Sequence, residues 1–287
     1  MRYKDYYSPK SLKEAEQLLK ELDGPVTLLA GGTDIMVYAR EDERYQDHHI
    51  VNIFGLPELQ GIELKDDHIR IGAGATHSEI EQSPIVQKYA KILADGCRTV
   101  GSLQIRNHAT LAGNICNASP AADSLAPLAV LDAKLEVLRD GNTIEIPLYD
   151  VIVKPYRTSL SDRDIVTAVK VRRLPEDEIT CFYKLGRRKA LAISRMTITY
   201  VAHKASDGTI DDFNITAGAI FPRPMTFPDI NEKLLGKKPD EKNLEDVARA
   251  LGNKIPEITG IRKSTAYKQP VCANMAARIL KEKLLEV

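Results

Sequence analysis

Leu28-Leu29-Ala30-Gly31-Gly32-Thr33-Asp34-Ile35 (LLAGGTDI) and a second stretch from Thr110 to Asp123 (TLAGNICNASPAAD) decide how this chain reads. In the first, an apolar run ends at two glycines, where the backbone can turn sharply and approach a ligand without a Cβ in the way. Alone, that pattern fits an ordinary tight turn equally well. In the second, Thr110, Gly113, Asn114, Ser119 and Asp123 crowd small and polar groups together. Both stretches offer backbone N–H groups and lack Lys and Arg, which suits a diphosphate held by amides and local dipoles. Together they point to a bound dinucleotide.

The familiar phosphate motifs do not apply. A P-loop needs a Lys directly after its last glycine, and neither stretch has one, which argues against ATP hydrolysis. The nearest approach to a Rossmann fingerprint, Gly72-Ala73-Gly74-Ala75-Thr76-His77, lacks the third glycine. Thr76 and Glu79 have capping-box spacing, so that stretch reads as a strand end and a helix start.

Outward from these turns, 287 residues allow one large or two to three smaller domains with ample core. Forty Lys plus Arg balance forty Asp plus Glu, and the absence of a basic, aromatic-rich stripe argues against nucleic acid as a partner. No apolar run approaches the roughly 20 residues that span a bilayer, and MRYKDYYSPK is not a secretory leader, so a cytoplasmic location is expected. Cys97, Cys116, Cys181 and Cys272 lie far apart without CxxC spacing. They read as buried free thiols rather than ligands of zinc or an iron–sulfur cluster.

Ser11 and Glu14 cap a helical pattern, Leu12 to Leu22, that stops at Gly24-Pro25. A strand, the GGTD turn and a strand at His49–Ile53 complete a first α/β unit. From Pro57 the pattern predicts a hairpin (Ile62–Leu64, Ile69–Gly72), helices near Ser78–Glu81 and Val86–Ala94, the TLAGN turn, a helix at Ser124–Leu131 and a hairpin at Asp140-Gly141. Beyond Glu178 come three antiparallel strands, Cys181–Leu185, Ser194–His203 and Asp212–Ile220. Three helices follow, near Asp229–Leu235, Asn243–Leu251 and Val271–Glu286.

The order LLAGGTDI, RIGAGATHSEI, QIRNHATLAGNICNASPAADS, DIVTAVKV, FYKLGRRKALAIS resembles, over essentially the whole chain, the FAD-binding subunit of the molybdenum hydroxylases. That family includes xanthine, nicotinate and carbon monoxide dehydrogenases. The resemblance implies an α+β fold: a two-lobed FAD-binding domain of the PCMH/VAO type (residues 1–54 and 55–175), then a C-terminal α+β domain (176–287) with a three-stranded antiparallel sheet and helices. It implies non-covalent FAD, its pyrophosphate gripped by Leu28, Leu29, Ala30, Gly31, Gly32, Thr33, Asp34 and Ile35 and by Thr110, Leu111, Ala112, Gly113 and Asn114. Asp123 contacts the cofactor in the family. Val100 and Gly101 fall at the adenine position, and Arg157, Ile165, Val166 and Lys184 fall near the flavin. Each of these last four also fits a structural role: a surface charge, ordinary core or an exposed strand residue.

Molybdopterin and [2Fe–2S] clusters are implied on a large and a small partner subunit, with electrons collecting on FAD and leaving to NAD+ or another acceptor. The sequence departs from the family at three places. Ala112 replaces the first glycine of a GG pair, which reshapes the turn if that residue needs a positive φ. Val100 replaces an aromatic, and Ala190-Leu191 replaces an acidic pair near the flavin. Two other functions share the fold: a stand-alone flavin reductase or oxidase, and a scaffold without cofactor.

Overall fold

The computed structural model describes residues 3–41 and 45–285. The first unit runs β1 (Asp5–Tyr7), α1 (Leu12–Glu21), β2 (Val26–Leu29), α2 (Ile35–Glu41), β3 (His49–Asn52). Its sheet has the order β1-β3-β2 with both pairings parallel, so each strand-to-strand connection must cross over, as α1 and α2 do. Ser11 caps α1 by accepting from the Glu14 N–H at 3.1 Å, while the Glu14 carboxylate accepts from Lys10 N rather than from Ser11 N. The sequence pattern predicted neither β1, which is short, nor α2, which starts directly after the GGTD turn.

A five-stranded antiparallel sheet organises the second unit. After a 3₁₀ turn at Pro57–Leu59 come β4 (Ile62–Leu64) and β5 (His68–Gly72). A helical stretch follows: α3 (His77–Gln82), α4 (Pro84–Tyr89), α5 (Lys91–Arg98), α6 (Leu103–Arg106), α7 (Leu111–Asn117) and α8 (Leu125–Val130). Then come β6 (Lys134–Arg139), β7 (Asn142–Pro147), α9 (Leu148–Val151), the small hairpin β8 (Ile152–Lys154) and β9 (Arg157–Thr158), and β10 (Ile165–Arg172). The long strand β10 sits centrally in the order β4-β5-β10-β6-β7. Thr76 and Glu79 form the complete capping box that their spacing predicted. The single helix expected over Val86–Ala94 is broken at Ala90, whose φ of −152° ends α4. TLAGN is not a free turn: Thr110 caps α7, and the other four residues are its first turn.

In the third unit β11 (Ile179–Leu185), β12 (Met196–Lys204) and β13 (Ile210–Gly218) form an antiparallel meander followed by α10 (Pro228–Asn231), α11 (Glu241–Thr259) and α12 (Thr265–Leu284). Helix α11 runs well past its expected bounds of Asn243–Leu251 and α12 starts well before its expected Val271, with Pro256 and Pro270 inside them. Proline costs an interior helix about 3 kcal/mol, and packing of α11 on α12 outweighs it. A Cβ on Gly252 would already lie 3.2 Å from Ala273 Cβ and 3.0 Å from Gln269 O. Glu286, the expected last residue of α12, lies outside the described residues. Among the described residues no helix is long and apolar enough to cross a membrane.

The architecture is thus α+β, with one apolar core beneath the first two units and a second inside the meander and its helices. Strand β12 joins them, because alternate side chains point to opposite faces: Val201 belongs to the first core, Tyr200 and Ala202 to the second.

Candidate cofactor cleft

The carboxyl end of β2 delivers residues 30–35 to the surface of the first unit, opposite the start of α7. Gly31 packs so closely on the second unit that a Cβ there would sit 1.8 Å from His108 O. Gly32 has a φ of +70°, which side-chain-bearing residues rarely adopt. Among the described residues the backbone N–H groups of Gly31, Gly32, Thr33, Asp34 and Ile35 have no hydrogen-bond acceptor. The facing segment differs. Leu111 N donates to Ala75 O, Gly113 N to Thr110 Oγ1 at 3.0 Å and Asn114 N to Thr110 O. The first turn therefore supplies most of the free donors, and the second supplies a glycine face and the Thr110 and Asn114 side chains.

Between them lies a cavity of about 620 Å³, whose wall also includes Thr27, Tyr38, Tyr45, Cys116, Asn117 and Tyr156. A second cavity of about 590 Å³ continues past Val100, Gly101, Ser102 and Ile105 to Ser119, Asp123 and the 191–194 segment. The two share Asp34, Tyr38, Asn114, Asn117 and Tyr156, so they form one elongated cleft. No Lys or Arg lines either part among the described residues. Burial pushes the Asp34 carboxyl above its ordinary value. Tyr156 stands over the junction with a φ of +60°, rare for a bulky residue, and its N–H donates to Ala118 O at 2.8 Å.

One end of the cleft is braced from behind. The buried Asp123 carboxylate accepts from Lys184 Nζ at 2.5 Å, Ser194 Oγ at 2.5 Å and Thr99 Oγ1 at 3.1 Å, and Lys184 Nζ also donates to Thr99 O. Four segments meet there: the loop after α5, the loop before α8, β11 and the loop before β12.

Of the residues singled out in the sequence, Leu28, Ala30, Gly31, Gly32, Thr33, Asp34, Ile35, Thr110, Gly113 and Asn114 line the first cavity, and Val100, Gly101 and Asp123 the second. The others do not line the cleft. Leu29 pairs with Asn52 in the sheet, Leu111 and Ala112 are buried at the start of α7, and Ile165 and Val166 are core of β10. Arg157 is exposed on β9, and Lys184 lies behind Asp123. Ala112 has no positive φ, so the strain its methyl would cause in a left-handed turn does not arise. Cys116 is exposed on the cleft wall, against the expectation of buried thiols, whereas Cys97 and Cys272 are buried and Cys181 is half-buried. Tyr38, Tyr156, Asn117 and Ile193 were not foreseen, since no local pattern brings these four distant residues together.

Residues 1–174 match the model of the FAD binding domain in molybdopterin dehydrogenase, and residues 181–283 match that of the CO dehydrogenase flavoprotein C-terminal domain. The chain belongs to this flavoprotein family. Similar proteins include the nicotinate dehydrogenase FAD-subunit of Eubacterium barkeri, 29% identical with 92% of this chain and 90% of the relative covered. The xanthine dehydrogenase FAD-binding subunit of Escherichia coli O157:H7 is 28% identical, with 98% and 96% covered. In fold, the chain matches a structure of carbon monoxide dehydrogenase from Hydrogenophaga pseudoflava with a TM-score of 0.88 at 24% identity, covering 97% of this chain and 96% of that one. As a member of the family the chain is an FAD-binding oxidoreductase component. The cleft fits that cofactor: two connected cavities suit an extended dinucleotide, and a wall of unused amides that no described Lys or Arg lines suits its diphosphate.

Proposed function

We propose that this chain is the FAD-carrying electron-transfer subunit of a molybdenum-dependent hydroxylase or dehydrogenase, with its domains divided at residues 54 and 175. The observation that carries the reading is the row of N–H groups from Gly31 to Ile35, unpaired among the described residues and facing a glycine-sided wall across a cleft that no described Lys or Arg lines. These amides would hold the diphosphate, with Thr110 and Asn114 opposite. Val100, Gly101 and the 191–194 segment would wall the far part of the cleft. Asp123 and Lys184 keep that wall in place by tying four segments together. Bound FAD supplies the ability to collect electrons singly and release them as a pair. Relatives named as FAD-binding subunits support a partnered role, in which molybdopterin and [2Fe–2S] clusters sit on a large and a small subunit and electrons leave to NAD+ or another acceptor.

Acid precipitation of the purified protein should release free FAD in near one-to-one amount. Protein that stays free of flavin after reconstitution overturns the assignment, as does flavin retained on the denatured chain. The isolated, FAD-loaded chain should not turn over purines or nicotinate, and adding the molybdenum and iron–sulfur subunits should restore substrate-dependent flavin reduction. Turnover by the chain alone, with metal analysis showing no molybdenum, would establish the stand-alone flavoenzyme instead.

A further inference from the structure

The segment from Tyr156 to Asp164 touches both walls of the cleft. At one end Tyr156 N donates to Ala118 O at 2.8 Å, directly after α7. At the other end Asp162 and Arg163 reach across to the first unit. Asp162 Oδ2 accepts from Val26 N at 3.2 Å, and Arg163 Nη2 donates to Leu22 O and to Gly24 O, both at 2.8 Å. The segment itself is braced. Arg139 clasps the Asp164 carboxylate through two bonds of 2.9 and 2.7 Å, Ser161 N donates to Asp164 Oδ2 at 2.8 Å, and Arg163 N donates to Ser161 Oγ at 3.2 Å.

The groups that Asp162 and Arg163 hold lie at the base of β2. Leu22 closes α1, and Gly24, with a φ of +97°, turns the chain toward β2. Carbonyls at a helix end lack an intrahelical donor, and one guanidinium nitrogen serves both of these. Val26 is the first residue of β2, which is an edge strand paired with β3 alone. Asp162 therefore gives its N–H an acceptor on the side where no strand lies. The strand has four residues, and the row of free amides starts two residues beyond its end, at Gly31. Over so short a strand, a shift at the base reaches that row. Gly31, packed on the His108 carbonyl, marks the far end of the same contact between units.

We infer that Asp162 and Arg163 are positioning residues for the diphosphate site. By pinning the base of β2 to the segment that also grips the end of α7, they hold the amide row and the α7 wall at the separation a diphosphate needs. Neither side chain lines the cleft, so both act through β2 and not by touching the ligand. The identity of the ligand rests on the FAD reading; the tie between the two walls does not.

The test titrates the full-length chain, freed of flavin, with FAD and separately with ADP, which carries the diphosphate without the flavin, using calorimetry without denaturant. Arg163→Met, which breaks two bonds, should weaken both ligands at least about tenfold, or ~1.4 kcal/mol. Asp162→Ala breaks one bond at an exposed residue and should weaken both about threefold, which keeps the test open should Arg163→Met fail to fold. Asp162→Asn, whose amide oxygen still accepts from Val26 N, should bind as wild type. A lower urea midpoint with unchanged affinity would confine the two residues to stability and overturn the inference. Loss in Asp162→Asn as large as in Asp162→Ala would also overturn it, since the bond to Val26 is then not the cause. Wild-type protein that binds ADP but not FAD overturns the cofactor reading alone, and weaker ADP binding in the variants then still supports the positioning role. Wild-type protein that binds neither overturns both.

Discussion

Gly31 tolerates no side chain, because a Cβ would overlap the backbone carbonyl of His108, and backbone cannot rotate aside as a flexible side chain can. Gly31→Ala should therefore push the first turn away from the second unit and lower FAD affinity at least about tenfold, or ~1.4 kcal/mol, as read by fluorescence titration. An affinity equal to wild type would show that the turn does not line the cofactor. Lys184 has a different role from the exposed strand cation its sequence also allowed: it neutralises the buried Asp123. Lys184→Met leaves that carboxylate without its cation and should cost about 3 kcal/mol, seen as a lower urea midpoint. Asp123→Asn in the same chain should recover part of the loss. A lowered flavin midpoint potential in Lys184→Met would place its charge within reach of the ring, and an unchanged one would confine it to holding Asp123.

Among the elements, α7 shows how a short helix can set a cleft wall. Thr110 accepts from Gly113 N, and a Cβ at 113 would lie 2.8 Å from that hydroxyl oxygen, so a side chain there would have to push the cap aside. Thr110→Ala removes the cap and should cost about 1 kcal/mol in thermal unfolding, while Thr110→Ser, which keeps the hydroxyl, should recover most of it. Equal losses in both variants would mean that the methyl's packing, not the cap, stabilises α7. The capping spacing of Thr76 and Glu79 was legible because a cap is made within four residues. The length of α11 and α12 was not, because their prolines signal an end and only the partner helix makes continuation favourable.

At the scale of the molecule, the junction between the two cores holds a group that titrates near neutrality. Both Glu178 carboxylate oxygens are buried without a hydrogen-bond donor. Burial first, then the nearby Asp212 charge, push its pKa from 4.5 up to about 7, against the opposing pull of Arg172. Below pH 4.5 folded and unfolded chains both hold the proton. Between 4.5 and about 7 the unfolded chain gives up the proton while the folded chain keeps it, so this contribution to stability is full below pH 4.5, falls across that window and is gone above about pH 7. Partial exposure limits its size to about 1–2 kcal/mol. Glu178→Gln should thus be more stable than wild type by that amount at about pH 8 and equal to it at about pH 4 in urea unfolding. A gain of the same size at both pH values would show that ionisation is not its cause.

The sequence by itself determined what depends on near neighbours and on composition. The two small-residue segments, the hairpin turns, the helix caps and the three-stranded meander all follow from residues a few positions apart, and the ordered set of motifs carried the family. Tertiary structure alone decided how the cleft is made. It joined Gly31 to His108, Asp34 to Tyr156 and Asp123 to Lys184, groups separated by dozens of residues, and it showed that one segment has unused amides while the other has spent most of them on its own helix. Such pairings leave no local trace, because a hydrogen bond or a close backbone approach between distant segments depends on how sheets and helices pack, not on the spacing of residues along the chain.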